Sequence, residues 1–402
     1  MRILWVSDHP AATSGYSVQT ALTAPRLARA GLADVAILAS YGQQGHQGEF
    51  EGVPVYPGGH DPFAQDVIPD TARQFGADLV ITLKDSFVYK PETFKGLRWC
   101  PLVPVDHDPI PPGVHSVMFH AYAPIAYAPN GLRALRKAGF DPLYAPHAYD
   151  PTQFYPMPKA EARRLLGLPQ DKFIVGTVAV NRGGIPSRKA WDELINGVSL
   201  FRRDSHADML YITHTHPADD GYEGGLPLRQ MAADCGVGDI TLFPHVPAYK
   251  AGFSTEKLRW LYNSMDVLLA VSVGEGFGIP TLEAQACGVP VITGRWAAQE
   301  DLVFSGWFVE PDEAHRFRST QMAYVYLPEP EAIADRLRLA YASRDNEALK
   351  TTAAQGAAAF QIDDVISHYW KPLLGYLDER LQRDRMIPRG VARIVRPEEV
   401  FS

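Results

Sequence analysis

Glu275 and Glu283 flank a glycine-rich turn in the run Val271-Ser272-Val273-Gly274-Glu275-Gly276-Phe277-Gly278-Ile279-Pro280-Thr281-Leu282-Glu283. Two carboxylates at such a turn can act as acid and base, or accept paired hydrogen bonds from the hydroxyls of a polyol. The surrounding residues decide where the pair sits. Met265 to Val271 is almost continuously apolar, which predicts a buried strand of a parallel sheet. Gly276 and Gly278 let the backbone turn tightly against a ligand. Pro280 suits the first helical position, and no Ser, Thr, Asp or Asn directly precedes it as a cap. The free N–H groups of that first turn then suit an anion. Gly288 ends the helix and Val289-Pro290-Val291-Ile292 opens the next strand. The loop therefore lies at the carboxyl edge of a parallel sheet, where open α/β sheets bind ligands. The competing view is an ordinary connection with two solvated glutamates. The glycines, proline and flanking strands weigh against it.

Other chemistry-bearing residues also follow strands. Gly15 closes the turn Ser7 to Ser17 ahead of a helix starting near Tyr16, with one glycine only and so no dinucleotide fingerprint. Arg182, Arg188 and Lys189 follow the strand Phe173 to Val180, where positive charge can stabilise a departing anion. Asp106-His107-Asp108 follows the apolar run Pro101 to Val105, and one of His214 and His216 is expected to face a nucleotide cleft. No third ligand completes a metal set with that histidine pair. Cys100, Cys235 and Cys287 are far apart and form no CxxC pattern, which disfavours zinc and disulfides and suits a reducing cytoplasm.

These residues need a scaffold of alternating strands and helices. Strands are predicted over 2–7, 34–39, 77–83, 102–105, 125–128 and 143–146. A second set is predicted over 173–180, 209–213, 240–243, 267–271, 289–293 and 307–309. Helices are predicted over 16–30 with a kink at Pro25, over 131–137 with Asn130 as N-cap, and over 160–166, 189–201, 226–233, 255–263 and 331–342. Such alternation implies two doubly wound parallel sheets. The expected organisation is an N-terminal Rossmann-like domain over 1–150, a hinge near 150–158, and a C-terminal Rossmann-like domain over 151–361. An amphipathic helix over 362–383, kinked at Pro372, and a surface tail over 384–402 follow.

A length of 402 residues suits two domains, and 46% hydrophobic with 21% charged residues describes a soluble globular chain. No run of 18 apolar residues exists, and Met1 leads directly into a core strand rather than a signal peptide. The net charge of −8 argues against general nucleic-acid binding, so a nucleic-acid acceptor is disfavoured.

The Glu275–Glu283 segment resembles the E-x7-E motif of retaining nucleotide-sugar glycosyltransferases of the GT-B fold, especially glycosyltransferase family 4. The resemblance implies two Rossmann-like domains facing a central cleft. It implies that Glu275, Gly276, Phe277 and Gly278 hold the donor sugar and Glu283 the ribose. Lys189, with Arg182 or Arg188, would clamp the diphosphate, Gly15 would approach the diphosphate and acceptor, and His107 would stand at the reacting face. His147 and Asp150 fall at the family's hinge, and Glu300 at an acidic position usually preceded by glycines. The terminal helix would cross back to the first domain. The donor would be a UDP- or GDP-sugar, the acceptor a hydroxyl, and no metal or further cofactor would be needed. A nucleotide-sugar epimerase, a phosphorylase and a non-catalytic sugar-nucleotide binding protein share this architecture.

Overall fold

The computed structural model describes residues 1–386. Its first sheet has eight strands: β1 (Arg2–Asp8), β2 (Asp34–Tyr41), β3 (Gly48–Phe50), β4 (Val53–Pro57), β5 (Leu79–Leu83), β6 (Trp99–Val103), β7 (Ile125–Ala126) and β8 (Leu143–Tyr144). Their spatial order is β3-β4-β2-β1-β5-β6-β7-β8, parallel except for β3. The second sheet has six: β9 (Phe173–Val178), β10 (Met209–His214), β11 (Thr241–Leu242), β12 (Val267–Leu269), β13 (Val291–Gly294) and β14 (Gly306–Val309). They run β11-β10-β9-β12-β13-β14, all parallel.

In each sheet the chain winds one way from the central strand and then the other, so a topological switch point lies at β1/β5 and another at β9/β12. Loops from neighbouring strands diverge there and leave a crevice at the carboxyl ends. The loops carrying Gly15, Lys84, Lys189 and Glu275 all leave those four strands.

Several sequence expectations shift. The sixth strand of the chain starts at Trp99, not at Leu102, and includes Pro101. Proline lacks a ladder donor, but pairing with β7 begins only at Leu102. Asn130 is not an N-cap: the helix spans Pro129–Lys137 with Ala128 at the cap. The Asn130 backbone N–H instead donates to Asp301 Oδ2 at 2.6 Å, so a second-sheet carboxylate caps this first-sheet helix. The helix Gly15–Arg29 runs on through Pro25. A hairpin, β15 (Arg316–Arg318) with β16 (Tyr324–Tyr326), was not expected, because three-residue strands carry too little periodicity.

The last described elements are helix Ile362–Val365, a π-turn Ile366–Trp370 and helix Lys371–Met386. Pro372 therefore lies just beyond a widened turn, which accommodates its missing N–H. This segment packs on the first sheet's layer. Trp370 meets Trp5 with ring centroids 5.6 Å apart, Tyr122 Oη donates to Asp384 at 2.7 Å, and Arg385 pairs with Asp78 at 2.5 Å. Residues 384–386 belong to that helix, and the expected tail over 387–402 lies outside the described residues. Among the described residues no helix is long and apolar enough to cross a membrane.

Candidate functional site

The first-sheet wall of the cleft is built on buried carboxylates. Asp8 ends β1 almost wholly buried and pairs with Lys84, which follows β5. Ser14 Oγ donates to Asp8 Oδ2 at 2.6 Å and accepts from the Ser17 N–H at 3.0 Å. Ser14 is thus the cap of the helix from Gly15, its side chain taking one N–H of the first turn, that of Ser17. Gly15 matters for another reason: a Cβ there would lie 3.3 Å from Ile279 Cδ1 of the opposite wall. Beside it, Tyr16 and Asp85 lie close enough to interact electrostatically. Burial pushes the Asp85 carboxyl up, and the nearby Asp106 charge adds to the rise.

The second-sheet wall is basic. Lys189 Nζ pairs with Glu275 Oε1, Arg188 Nη1 lies 3.4 Å from Glu275 Oε2, and Ser272 Oγ donates to Oε1 at 2.8 Å. Burial alone would raise the Glu275 carboxyl. Lys189, Arg188 and the Ser272 hydrogen bond outweigh it and bring the group down to about 2. Burial, with the Arg188 charge beside it, draws the Lys189 ammonium below its ordinary range against the pull of Glu275. Arg188 keeps half its side chain exposed and also donates to the Gly274 carbonyl at 3.2 Å. Two cations share one carboxylate here, which leaves positive charge for an anionic ligand.

Backbone geometry aims these groups. Ala190 holds φ 51° while fully buried, an unusual conformation for a residue with a Cβ, directly after Lys189. Gln299 brackets Ser272, accepting from its N–H at 2.9 Å and donating to its carbonyl at 2.8 Å. Trp296 Nε1 donates to the Val273 carbonyl at 3.0 Å. The loop bearing Glu275 is thereby fixed from the side of β13.

The walls touch at the glycines. A Cβ on Gly276 would stand 3.0 Å from Tyr127 Oη, and Gly278 holds φ 105° at the start of helix Ile279–Ala286. Phe277 is buried against His147, ring centroids 5.1 Å apart, and His147 stacks on Tyr127 at 4.0 Å. Burial lowers the His147 imidazole to about 3.

His107 is nearly buried. Its Nδ1 lies 2.5 Å from Asp106 Oδ1 and its Nε2 2.7 Å from Ser319 Oγ, in the turn of the β15–β16 hairpin. It borders a groove of about 320 Å³ whose sides include Asp108, Arg133, Glu300 and Tyr324.

The other expected residues have surroundings of their own. Glu283 is buried in its helix and accepts from Tyr262 Oη at 2.8 Å. Burial raises its carboxyl to about 7, partly offset by that hydrogen bond. Arg182 lies upstream in the Lys189 loop, exposed. His214, at the end of β10, sits against Phe253 at 4.6 Å and Tyr249 at 5.4 Å, with its imidazole lowered to about 4 by burial. His216 accepts from the Ala218 N–H at 3.0 Å. Asp150 pairs with Arg26 at 3.1 Å, and Glu300 with Arg133 at 3.0 Å.

Sequence reasoning missed Tyr16, Asp85, Tyr127, Ser272, Gln299 and Ser319. Only Tyr16, Ser272 and Gln299 lie near a motif, and hydroxyl and amide groups are too common for their positions to single them out. Among the described residues, Asp312, His315 and Glu329 could together face a metal ion. They are surface groups in which His315 Nδ1 lies 3.1 Å from each carboxylate, an ordinary charged network.

The profile of the family described as Glycosyl transferases group 1 matches residues 177–323, the stretch that holds Arg182, Arg188, Lys189, Glu275 and Glu283. The D-inositol 3-phosphate glycosyltransferase of Saccharomonospora viridis is 29% identical over 224 residues, covering 53% of this chain and 49% of that protein. The chain spans about a third to a half of the length of the curated relatives it matches. Among solved structures, sucrose-phosphate synthase from Thermosynechococcus elongatus superposes with a TM-score of 0.73 at 18% identity, covering 96% of this chain and 100% of that one. Anabaena HepE in complex with UDP-glucose superposes with a TM-score of 0.68 at 16% identity, covering 93% and 99%. The chain therefore has the two-sheet GT-B fold over nearly its whole length, and its residues 177–323 match the group 1 glycosyl transferases.

Proposed function

We propose that this protein is a retaining glycosyltransferase that moves a sugar from a UDP- or GDP-sugar to a hydroxyl acceptor. The observation that carries the reading is the cluster of Lys189, Arg188 and Glu275 on the basic wall, facing an acidic wall of Asp85 and Asp106. A diphosphate is repelled by one wall and attracted by the other, so the donor belongs to the second. Arg188 takes the arginine role ahead of Arg182 because it stands beside Glu275. As the bond to the anomeric carbon breaks, negative charge grows on the departing diphosphate, and Arg188 and Lys189 stabilise it. That charge supply makes a metal unnecessary to the reading.

Glu275 is ionised and held by three partners, so it positions sugar hydroxyls rather than attacking the sugar. The acceptor enters from the first-sheet loops on the leaving-group face, and the departing phosphate takes its proton. Glu283 accepts from the ribose hydroxyls. His214, between aromatic rings at the end of β10, borders the nucleotide. Residues 150–158 act as the hinge between domains 1–150 and 151–361, and closure excludes the water that would hydrolyse the donor. UDP-glucose is the first donor to test, because HepE is solved with it.

The test is thermal shift and product analysis with UDP- and GDP-sugars, with and without sugar, polyol and lipid alcohols, in EDTA. The reading expects donor-dependent stabilisation, of about 2.7 kcal/mol at 100 times the dissociation constant, and transfer with the anomeric configuration retained. Sugar released only as its epimer, or no response to any donor, would overturn it.

A further inference from the structure

The hairpin Arg316–Tyr326 belongs to the second-sheet half of the chain but lies on the first-sheet loop 106–108. The Asp108 N–H donates to the Tyr324 carbonyl at 3.1 Å, and the Tyr324 N–H donates to the Asp108 carbonyl at 3.2 Å. This is a one-residue antiparallel bridge between the halves. Val325 is buried with Ala190 and Val273, so the hairpin also rests against the residues that follow Lys189 and precede Glu275. The same element thus touches the basic wall at its base and His107 at its tip.

At the tip the hydrogen bonds form an ordered chain. The Gln321 N–H donates to Ser319 Oγ at 3.1 Å, which leaves the Ser319 proton for His107 Nε2 at 2.7 Å. The other ring nitrogen, Nδ1, donates to Asp106 Oδ1 at 2.5 Å. A carboxylate accepts only, so it fixes the proton on Nδ1, and Nε2 is then the acceptor. The order hydroxyl, imidazole, carboxylate is the one that sets a single tautomer and ring orientation in acyl-transfer sites. Here its members come from both halves of the chain.

We propose that Ser319 is a positioning residue, and that the hairpin is a clasp which sets His107 only when the two halves are docked. This rests on the reading of His107 as a residue of the transfer site. Docking the hairpin delivers the Ser319 hydroxyl to Nε2 and, through the imidazole, orients the Asp106 carboxylate that faces Arg188 across the cleft. An open molecule would lose the Ser319 contact, leaving His107 free to rotate. Site assembly is thereby coupled to closure, and a donor bound in an open cleft would be held without being turned over.

The experiment compares the full chain with Ser319→Ala and Ser319→Thr by side-chain nitrogen NMR of labelled histidine, and by steady-state turnover of UDP-glucose. The clasp predicts a single Nδ1–H tautomer for His107 in the parent chain. In Ser319→Ala the Nε2 resonance should move while the Nδ1 proton stays with Asp106, and Ser319→Thr should restore the parent spectrum. Loss of one neutral hydrogen bond should lower kcat roughly 2- to 12-fold, with the KM for UDP-glucose unchanged. An unaltered His107 spectrum in Ser319→Ala would overturn the proposal, as would a loss confined to KM. A parent chain that shows the tautomer signature but turns over no donor would count against the glycosyltransferase reading and leave the clasp standing.

Discussion

Gly274 and Asp106 meet across the cleft: a Cβ on Gly274 would stand 2.5 Å from the Asp106 carbonyl oxygen. No side chain fits there while the walls are closed, and a backbone oxygen cannot swing aside as a flexible side chain would. Gly274→Ala should force the walls apart, at a cost of about 1–3 kcal/mol. Transfer should fall more than donor affinity, because the donor belongs to one wall and the reaction needs both. Urea unfolding and donor titration check this. Unchanged transfer would show that closure is not needed.

Lys189 and Glu275 form a largely but not fully buried ion pair, so removing one partner strands the other. Lys189→Ala should destabilise the protein by about 3 kcal/mol at neutral pH. Transfer should fall roughly 10²- to 10³-fold if Lys189 stabilises the leaving group. Glu275, lowered to about 2, contributes stability above the ordinary carboxylate range that is lost as pH falls toward 2. The variant should show less of that acid dependence. A double-mutant cycle with Glu275→Ala isolates the pair.

Glu283 and His147 pull the pH profile in opposite directions. Glu283 is raised from 4.5 to about 7, so its contribution is full below 4.5 and is lost as pH rises through 7. His147 is lowered from 6.5 to about 3, so its contribution is full above 6.5 and is lost as pH falls toward 3. Between 4.5 and 6.5 the two slopes, each about 1.4 kcal/mol per pH unit, oppose and cancel. Glu283→Gln should expose a stability that rises with pH in that window, and His147→Phe one that falls. Parallel profiles for both variants, measured by denaturant unfolding, would contradict the assigned burial.

Asp301 caps the helix Pro129–Lys137 from the other half of the chain and also pairs with Arg133 at 3.0 Å. Asp301→Ala should cost about 1–2 kcal/mol, the range for a lost cap. If the contact holds the halves together, hydrogen exchange should accelerate in that helix before it does in β1 or β9. Uniform acceleration would reduce Asp301 to general stability.

Much of this molecule is legible in its residues. Apolar runs such as Ile3–Val6 and Val267–Leu269 encode buried parallel strands locally, because a strand covered on both faces needs no partner's identity to be recognised. Gly276, Gly278 and Pro280 encode the turn, and with Glu275, Lys189 and Arg188 they mark the basic wall. Local signals failed where the partner is remote. Asn130 has a capping residue's chemistry, yet Asp301 supplies the cap from 171 positions away. The helix start after Gly15 carries its cap, Ser14, next to it in sequence, but only the fold brings Asp8 to the Ser14 hydroxyl. Glu283 reads from its motif as a ribose-binding carboxylate, and only the packing adds that it is buried with Tyr262 as its partner. Ser319 has no sequence signal at all. Strand identity and turn chemistry depend on neighbours a few residues away, whereas burial, charge pairing and the meeting of His107 with Ser319 depend on how two sheets dock.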